Sequence, residues 1–456
     1  MAAAVAARER GVEDVLLLER HAYLGGVLPQ CIHNGFGTQL YGKDYTGGEY
    51  AWLWKGKTER AGVTVMTGTT VLSLSARPEG GWLVTCVSAK LGAGELEAEA
   101  VIIATGCRER TLPQMLIPGS RPAGVFTAGA AQLMMNLKNY LPGKSAVILG
   151  SGDIGLIMAR RMTLEGIRVK LILGQEATGL ARNIVQCVED YRIPMRYGWT
   201  VVSTHGYERL KGVSIAPFGE DGKPDHARKE YIPCDTLLVA AGLIPELEIC
   251  RGLKPDASSE MDYEELTACG LFLCGNANYV HDLVDHVTAE GIAVGQKAAA
   301  YLGKDAAAAE RLREFRGAEQ SAEEAGGIKE TAAAPPAWGA EPTGKQGNMV
   351  CTVCPQSCIM NVQSNPFSVT GNQCPKGERF ARQELETPKR VLTTVVKAGD
   401  SIVSVRTDKL IDKADLFPVM KAVRSIHVKT PVTPGQVVAE DIAGTGANLI
   451  ATWQAE

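Results

Sequence analysis

Short apolar runs recur between positions 15 and 275, and many of them stop at a glycine. They are Val15–Leu18, Val63–Met66, Val101–Ala104, Ala146–Leu149, Val169–Leu173, Thr236–Val239 and the stretch Gly270–Gly275. Unbroken apolarity, rather than alternation, marks strands covered on both faces, as in parallel sheets. Helical patterns lie between them: Ala2–Arg8, stopped by Gly11; Ala51–Gly62; Leu156–Leu164, stopped by Gly166; and Val287–Tyr301, with Gly291 and Gly295 suited to close packing. Val71–Leu74, Trp82–Ser88 and Glu95–Ala100 read as further strands, the last two as a hairpin with Gly92 and Gly94 in its turn. Tyr197–Thr204 and Leu210–Pro217 read as a sheet extension. The strand-plus-glycine run VIIATG at 101–106 returns as TLLVAAG at 236–242, an internal repeat that assigns one copy to each of two nucleotide domains.

The most informative unit is Ser145 to Leu173. Strand, glycine turn, helix and strand follow one another, and Gly150, Gly152 and Gly155 hold the G-x-G-x-x-G spacing. Such glycines make a tight turn, let a pyrophosphate approach bare backbone, and pack helix on strand; the helix amino end then offers N–H groups to phosphate. Leu173 stands where an NAD-specific domain carries an acid. Glu176 follows three residues later and Arg182 further on, so the pattern leaves NAD and NADP both open. The amino terminus reads as the second half of another such unit: helix Ala2–Arg8, strand Val15–Leu18, then Glu19 to hold an adenosine ribose. The strand and glycine turn expected ahead of that helix are not in the sequence.

Composition adds exclusions. A net charge of −4 over 456 residues carries no basic block for nucleic acid, and no apolar run is long enough for a membrane span. Met1–Ala7 lacks the features of a secretory signal, and the scattered cysteines point to a reducing compartment, so a cytoplasmic location is expected. After Gly25 and Gly26 comes a glycine-rich loop with Cys31 and His33, the candidates for chemistry beside a bound cofactor. Tyr279, His281, Asp282, Asp285 and His286 crowd a strand-to-helix junction that can meet a ribityl chain or pyrophosphate. Residues 304–347 are rich in Ala, Glu, Gly and Pro and read as a linker. Beyond them Cys351, Cys354, Cys358 and Cys374 have the spacing of four ligands to one metal centre, either a four-iron, four-sulfur cluster or zinc. The remainder, Val391–Trp453, reads as a small strand-rich domain.

On Glu19, Gly25-Gly26, ATG at 104–106, GSGDIG at 150–155, AAGLIP at 240–245 and CGN at 274–276, residues 1 to about 303 resemble the pyridine-nucleotide disulfide oxidoreductase superfamily of two-dinucleotide flavoproteins. LGGVLPQCIHNGFG and NANYVHDLVDHVTAEG are similar to the FAD-dependent members found beside anaerobic glycerol-3-phosphate dehydrogenase. The tail resembles small cysteine domains of unknown function that accompany these flavoproteins, and its CxxCxxxC…CPKG pattern looks like the iron–sulfur entry domain of molybdopterin oxidoreductases. The fold so implied is α/β: two Rossmann-like dinucleotide-binding domains, the second inserted in the first, plus a small strand-rich C-terminal domain. Its divisions are an FAD domain at 1–125 and 246–303, an NAD(P) domain at 126–245 and a cysteine domain at 348–456. The resemblance implies FAD on Glu19, Gly25, Gly26, Val71, Ala104, Thr105, Gly106, Gly275, Asn276 and Asp282. It implies a nicotinamide nucleotide on Gly150, Gly152, Asp153, Ile154, Gly155 and Gly242. The activity implied is hydride transfer between NAD(P)H and FAD, with electrons passed through a cluster on the four late cysteines, Lys376 near their exit. A homodimer and a dehydrogenase partner subunit follow by the same analogy. Asn276 stands where the superfamily has Asp, and the paired cysteines of the disulfide reductases are reduced to Cys31. Two other readings therefore stand beside this one: a single-cysteine thiol or disulfide reductase with a structural zinc tail, and an FAD-free electron-transfer or assembly subunit.

Overall fold

The computed structural model describes residues 1–90, 92–253, 263–303 and 347–455. The linker expected at 304–347 lies outside them except for Gly347, which opens a strand. The helices are α1 (Ala2–Glu9), α2 (Gly47–Arg60), α3 (Ala128–Leu137), α4 (Asp153–Leu164), α5 (Ala181–Cys187), the short α6 (Tyr263–Ala268), α7 (Val284–Tyr301), α8 (Pro375–Glu386) and α9 (Leu416–Val423).

A five-stranded parallel sheet forms the middle of the chain. Its order is Val125–Thr127, Thr236–Val239, Ser145–Leu149, Arg168–Gly174, Met195–Tyr197. Successive side chains of a strand point to opposite faces. Ala146 and Ile148 therefore pack with Met135 of α3, Leu156 of α4 and Ile184 of α5, while Val147 and Leu149 pack beneath Val201, Val213 and Ile215. Those three belong to an antiparallel sheet of Trp199–Gly206, Leu210–Pro217 and Glu230–Pro233. Cover on both faces is the reason the central run is apolar without interruption.

The first domain holds two parallel pairs, Leu16–Leu18 with Thr64–Met66 and Val101–Ile103 with Leu271–Leu273. Among the described residues no strand joins one pair to the other. They share an apolar cluster in which Leu18, Ile103 and Leu271 meet Trp82 of the sheet Thr69–Ala76, Trp82–Ser88, Gly92–Ala98. Gly92 and Gly94 are not in the hairpin turn: they pair with Ser88 and Cys86 in the ladder. α1 lies against α7 because α7 is bare there; a Cβ on Gly295 would overlap the Ala3 backbone. The two copies of the repeat meet directly. Each ends at a glycine of positive φ, Gly106 at 74° and Gly242 at 98°. The strands that follow, Cys107–Glu109 and Leu243–Pro245, pair antiparallel, so the chain leaves and re-enters the first domain through one two-stranded ribbon.

The C-terminal part has a three-stranded hairpin sheet (Gly347–Val350, Ile359–Ser364, Phe367–Thr370) and a five-stranded sheet ordered His427–Val428, Thr393–Ala398, Ser401–Thr407, Leu449–Ala451, Val437–Ala439. Its core takes in Leu164 of α4. Arg390 binds Asp190 through Nε at 2.6 Å and Glu384 through Nη1 at 2.8 Å, and Lys413 Nζ reaches Asp190 at 2.6 Å. The chain end reaches the first domain too: Trp453 packs edge-on against Tyr23 and Trp52, and Arg406 binds Glu49 at 3.0 Å. Asp190 and Arg390 side chains are each only 5% exposed, so Asp190→Ala removes the buried carboxylate shared by Arg390 and Lys413 and leaves Glu384 to hold the guanidinium. Losing hydrogen bonds to a charged group costs about 1.5–3 kcal/mol. A lowered urea midpoint, with proteolysis beginning in the C-terminal domain, is the expected result.

Candidate functional site

At the glycine turn each glycine has a different neighbour. Gly150 has φ of 123°, and a Cβ there would overlap the Ala240 carbonyl; one on Gly155 would press on the Gly150 carbonyl. Both are needed for packing. Gly152 faces space, its nearest neighbour being Thr178 Oγ1 at 3.6 Å, which leaves the amino end of α4 open to a ligand. Asp153 begins α4 and turns its carboxylate aside to accept from Leu180 N at 2.7 Å. Burial raises its pKa, and Asp282 of the first domain adds to the rise while Arg182 opposes it. Asp282 and Asp153 thus bring the junction before α7 and the turn before α4 within electrostatic reach of each other. Ile154 packs beside the core under α4, and Gly242 lies at the ribbon between the domains.

In the first domain Glu19 ends its strand with Oε1 accepting from His21 N at 2.9 Å. Gly25 is required by α2, since a Cβ would lie 2.8 Å from that of Ala51, whereas Gly26 and Gly106 have open space at that position. Ala104 and Thr105 are exposed beside Gly106, and Val71 packs under the first-domain cluster. The junction at 275–290 is organised by a residue that the sequence pattern does not single out. Glu290 accepts from Gly275 N at 2.8 Å and Asn278 Nδ2 at 2.7 Å, and pairs with His281 Nε2 at 2.7 Å. The Gly275 N–H is therefore committed to a side chain of the same chain. Asn276 accepts from His281 N at 3.1 Å and lies 3.6 Å from Cys107 Sγ. No local signal marks Glu290, because the contact exists only once α7 folds back over the loop. Asn34 Oδ1, Thr38 Oγ1 and Asp285 Oδ2, around the loop that meets α7, are buried without partners among the described residues. Unpaired buried polar atoms are costly. Such orphaned atoms, and the bare backbone at Gly26 and Gly106, suit contact with a polar cofactor.

Cys31 and His33 lie on the far side of that loop, against α3 and α4. Burial pushes the Cys31 thiol up to about 12, and Sγ donates to Gln132 Oε1 at 3.7 Å. Burial also lowers His33 to about 4, with Arg160 and Arg182 adding to the fall. At neutral pH both side chains are uncharged. They adjoin a polar chain in which Asn136 donates to Gln30 O at 2.8 Å and Arg161 Nε donates to Asn136 Oδ1 at 2.8 Å.

The cysteine loop begins at the end of Gly347–Val350. Cys351 N bonds Cys358 O at 2.9 Å, Ser357 takes φ of 50° to turn the chain, and Cys374 precedes α8. Cys351 is buried, and burial raises its pKa, with Cys354, Cys358 and Cys374 near enough to add to the rise. Four thiols thus share one neighbourhood. They are not drawn into a ligand cage: among the described residues no three His, Cys, Asp or Glu side chains converge as a metal site. The loop docks on α5, where Arg182 N donates to Ser357 Oγ at 3.3 Å. Among the described residues no helix is long and apolar enough to cross a membrane.

Comparison with known proteins agrees with this architecture. The chain is 29% identical over 283 residues to hydrogen cyanide synthase subunit HcnB of Pseudomonas protegens, covering 57% of this chain and 58% of that one. It is 25% identical over 233 residues to an opine oxidase subunit of Rhizobium meliloti, covering 45% and 42%. The chain thus spans less than two thirds of the length of these curated relatives. Thioredoxin reductase of T. acidophilum superposes with a TM-score of 0.51 at 20% identity, over 66% of this chain and 93% of that one, a likeness of fold. Residues 375–453 match a protein family of unknown function, DUF1667. Residues 1–288 match the family described as pyridine nucleotide-disulphide oxidoreductase, well over half of the chain, and the protein belongs to that family.

Proposed function

We propose that the protein is an FAD-dependent NAD(P)H oxidoreductase that hands electrons on through its C-terminal cysteine domain. In this reading FAD lies in the domain made by 1–125 and 246–303, and the nicotinamide nucleotide in the inserted domain 126–245. The observation that carries it is the open amino end of α4 at Gly152, facing the first-domain junction across the Asp153–Asp282 approach. Bound flavin would supply a centre able to exchange hydride with nicotinamide. The chain's part is positioning. Gly152 and the first turn of α4 take the dinucleotide phosphates. Glu19 Oε2 is left for a ribose, Gly26 and Gly106 leave backbone open to the flavin nucleotide, and Glu290 holds His281 and Gly275 in place at the junction.

Cys351, Cys354, Cys358 and Cys374 form a soft donor set for an iron–sulfur cluster, with zinc as the alternative. The docking of their loop on α5 favours the cluster, because it puts the cysteines beside the nucleotide domain. Two relatives are named as subunits, which supports assembly with a further polypeptide.

The test is an anaerobic titration of purified protein with NADH and NADPH, followed in the flavin absorbance bands. Bleaching by either nucleotide is expected; a protein that binds FAD but is reduced by neither would sink the reading. Two alanine variants refine it. Gly152→Ala has a permissive backbone and room, so its melting temperature should hold while KM for the nucleotide rises about tenfold or more. Gly150→Ala should instead lose about 2 kcal/mol or more of stability, from overlap with Ala240 and a positive φ. Iron analysis of anaerobically prepared protein should give about four irons per chain, and replacing Cys354 and Cys358 with Ser should remove them without touching NAD(P)H-driven flavin reduction. Cys31→Ser should also leave that reduction intact. Burial pushes the Cys31 thiol up to about 12, so it carries very little thiolate between pH 7 and 9 and should be alkylated far more slowly than the exposed Cys269 over that range; loss of turnover in the Ser variant would favour thiol exchange.

A further inference from the structure

The segment carrying Glu19, Gly25 and Gly26 is neither helix nor strand. One side of it is held by its own domain: Glu19 N donates to Met66 O at 2.9 Å, and Gly68 N to His21 O at 2.8 Å. Another side is covered by the C-terminal domain. Trp453 is 9% exposed and lies edge-on to Tyr23, with ring centres 6.2 Å apart, and to Trp52 of α2 at 6.4 Å. Tyr23 stacks on His21, their centres 5.4 Å apart and their planes within 8°. His21 N in turn donates to Glu19 Oε1. Burial raises the Tyr23 pKa and the Glu19 charge adds to the rise, which places phenol and carboxylate near each other.

The far end of the segment rests on α2, where Gly25 lies too close to Ala51 for a Cβ. α2 itself rests on the C-terminal domain. The Thr452 carbonyl meets Gly48, and Lys55 Nζ donates to Gln454 Oε1 at 3.3 Å. Glu49 works on both sides. One carboxylate oxygen accepts from Thr46 N at 2.8 Å, capping α2, and the other accepts from Arg406 Nε at 3.0 Å. The bracing residues are themselves fixed. Thr452 is fully buried; its N donates to Ser404 O at 2.8 Å and its hydroxyl to Ser404 Oγ at 2.7 Å. Val432 and Ala455 exchange backbone bonds of 2.8 and 3.0 Å. Trp453 is thus set by its own domain and presented to another. A binding loop held in place beforehand spares the ligand the cost of ordering it.

We propose that Trp453 is a positioning residue for the adenosine half of the flavin nucleotide: through Tyr23 and Trp52 it sets Glu19 and the Gly25-Gly26 backbone where that half binds. The C-terminal domain thereby completes a cofactor site in the first domain, a use separate from its cysteines. This rests on the flavin reading above.

The experiment measures dissociation constants of FAD and FMN by flavin fluorescence on the flavin-free full chain. Wild type, Trp453→Ala, Trp453→Phe and Arg406→Gln are compared, with a thermal melt of each. FMN lacks the adenosine half and has no need of Glu19. Trp453→Ala should weaken FAD about tenfold, the scale of two lost aromatic pairs, and leave FMN unchanged. Trp453→Phe keeps a ring in place and should restore most of the FAD affinity. Arg406→Gln loosens α2 from the C-terminal sheet and should shift FAD in the same direction; it decides alone if Trp453→Ala does not fold. Equal weakening of FAD and FMN overturns the proposal, because the residue then supports the fold as a whole. A lowered melting temperature with both affinities unchanged overturns it too. A wild-type protein that binds no FAD fails the flavin reading itself, a separate outcome.

Discussion

The buried guanidinium of Arg161 ties the molecule together. It lies in α4, 5% exposed, and its donors must be met inside the protein. Asn136 of α3 takes Nε, Glu165 takes the charge, and Thr394 of the C-terminal sheet accepts from Nη1 at 3.3 Å. Asn136 in turn donates to Gln30 O in the first-domain loop. One charge thus draws partners from the loop carrying Cys31, from two helices of the nucleotide domain and from the C-terminal domain. A network of this kind is worth having only when every member is satisfied. Its completion fixes how these parts sit against α4, and with them the loop that lines the cofactor cleft.

The C-terminal domain is consequently more than an appendage. It grips the nucleotide domain through Arg390, Asp190 and Lys413, and the first domain through Trp453 and Arg406. Gly48 in α2 is bare because the Thr452 carbonyl lies where its Cβ would be. An element held at both ends restrains the relative orientation of the two nucleotide domains. The same docking sets the cysteine loop against α5, at Arg182.

The glycines show how one residue type serves separate purposes. Gly150, Gly155 and Gly295 are bare so that backbone can meet backbone; Gly152, Gly26 and Gly106 are bare toward space. Only the second group has room for a ligand. Spacing along the chain cannot separate the two uses, since Gly150, Gly152 and Gly155 all satisfy one motif.

Periodicity and punctuation made the three middle strands of the central sheet, the helix of the glycine turn, α7 and the paired repeats readable, because each of these is a local pattern of burial and chain reversal; the outer strands Val125–Thr127 and Met195–Tyr197 were not among them. The family resemblance rested on such patterns and held. What stayed hidden were contacts between distant positions. Glu290 is an ordinary helical acid until α7 returns over residues 275–281. Arg182 is an ordinary arginine until three segments close around it, and Cys31 looked reactive in a glycine-rich loop until α3 buried it beside Gln132. α3, α8 and α9 also escaped notice, their apolar faces being short and completed only by neighbours from other parts of the chain. Local order follows from neighbours in sequence; charge state, satisfaction and exposure follow from neighbours in space, and only the folded chain supplies those.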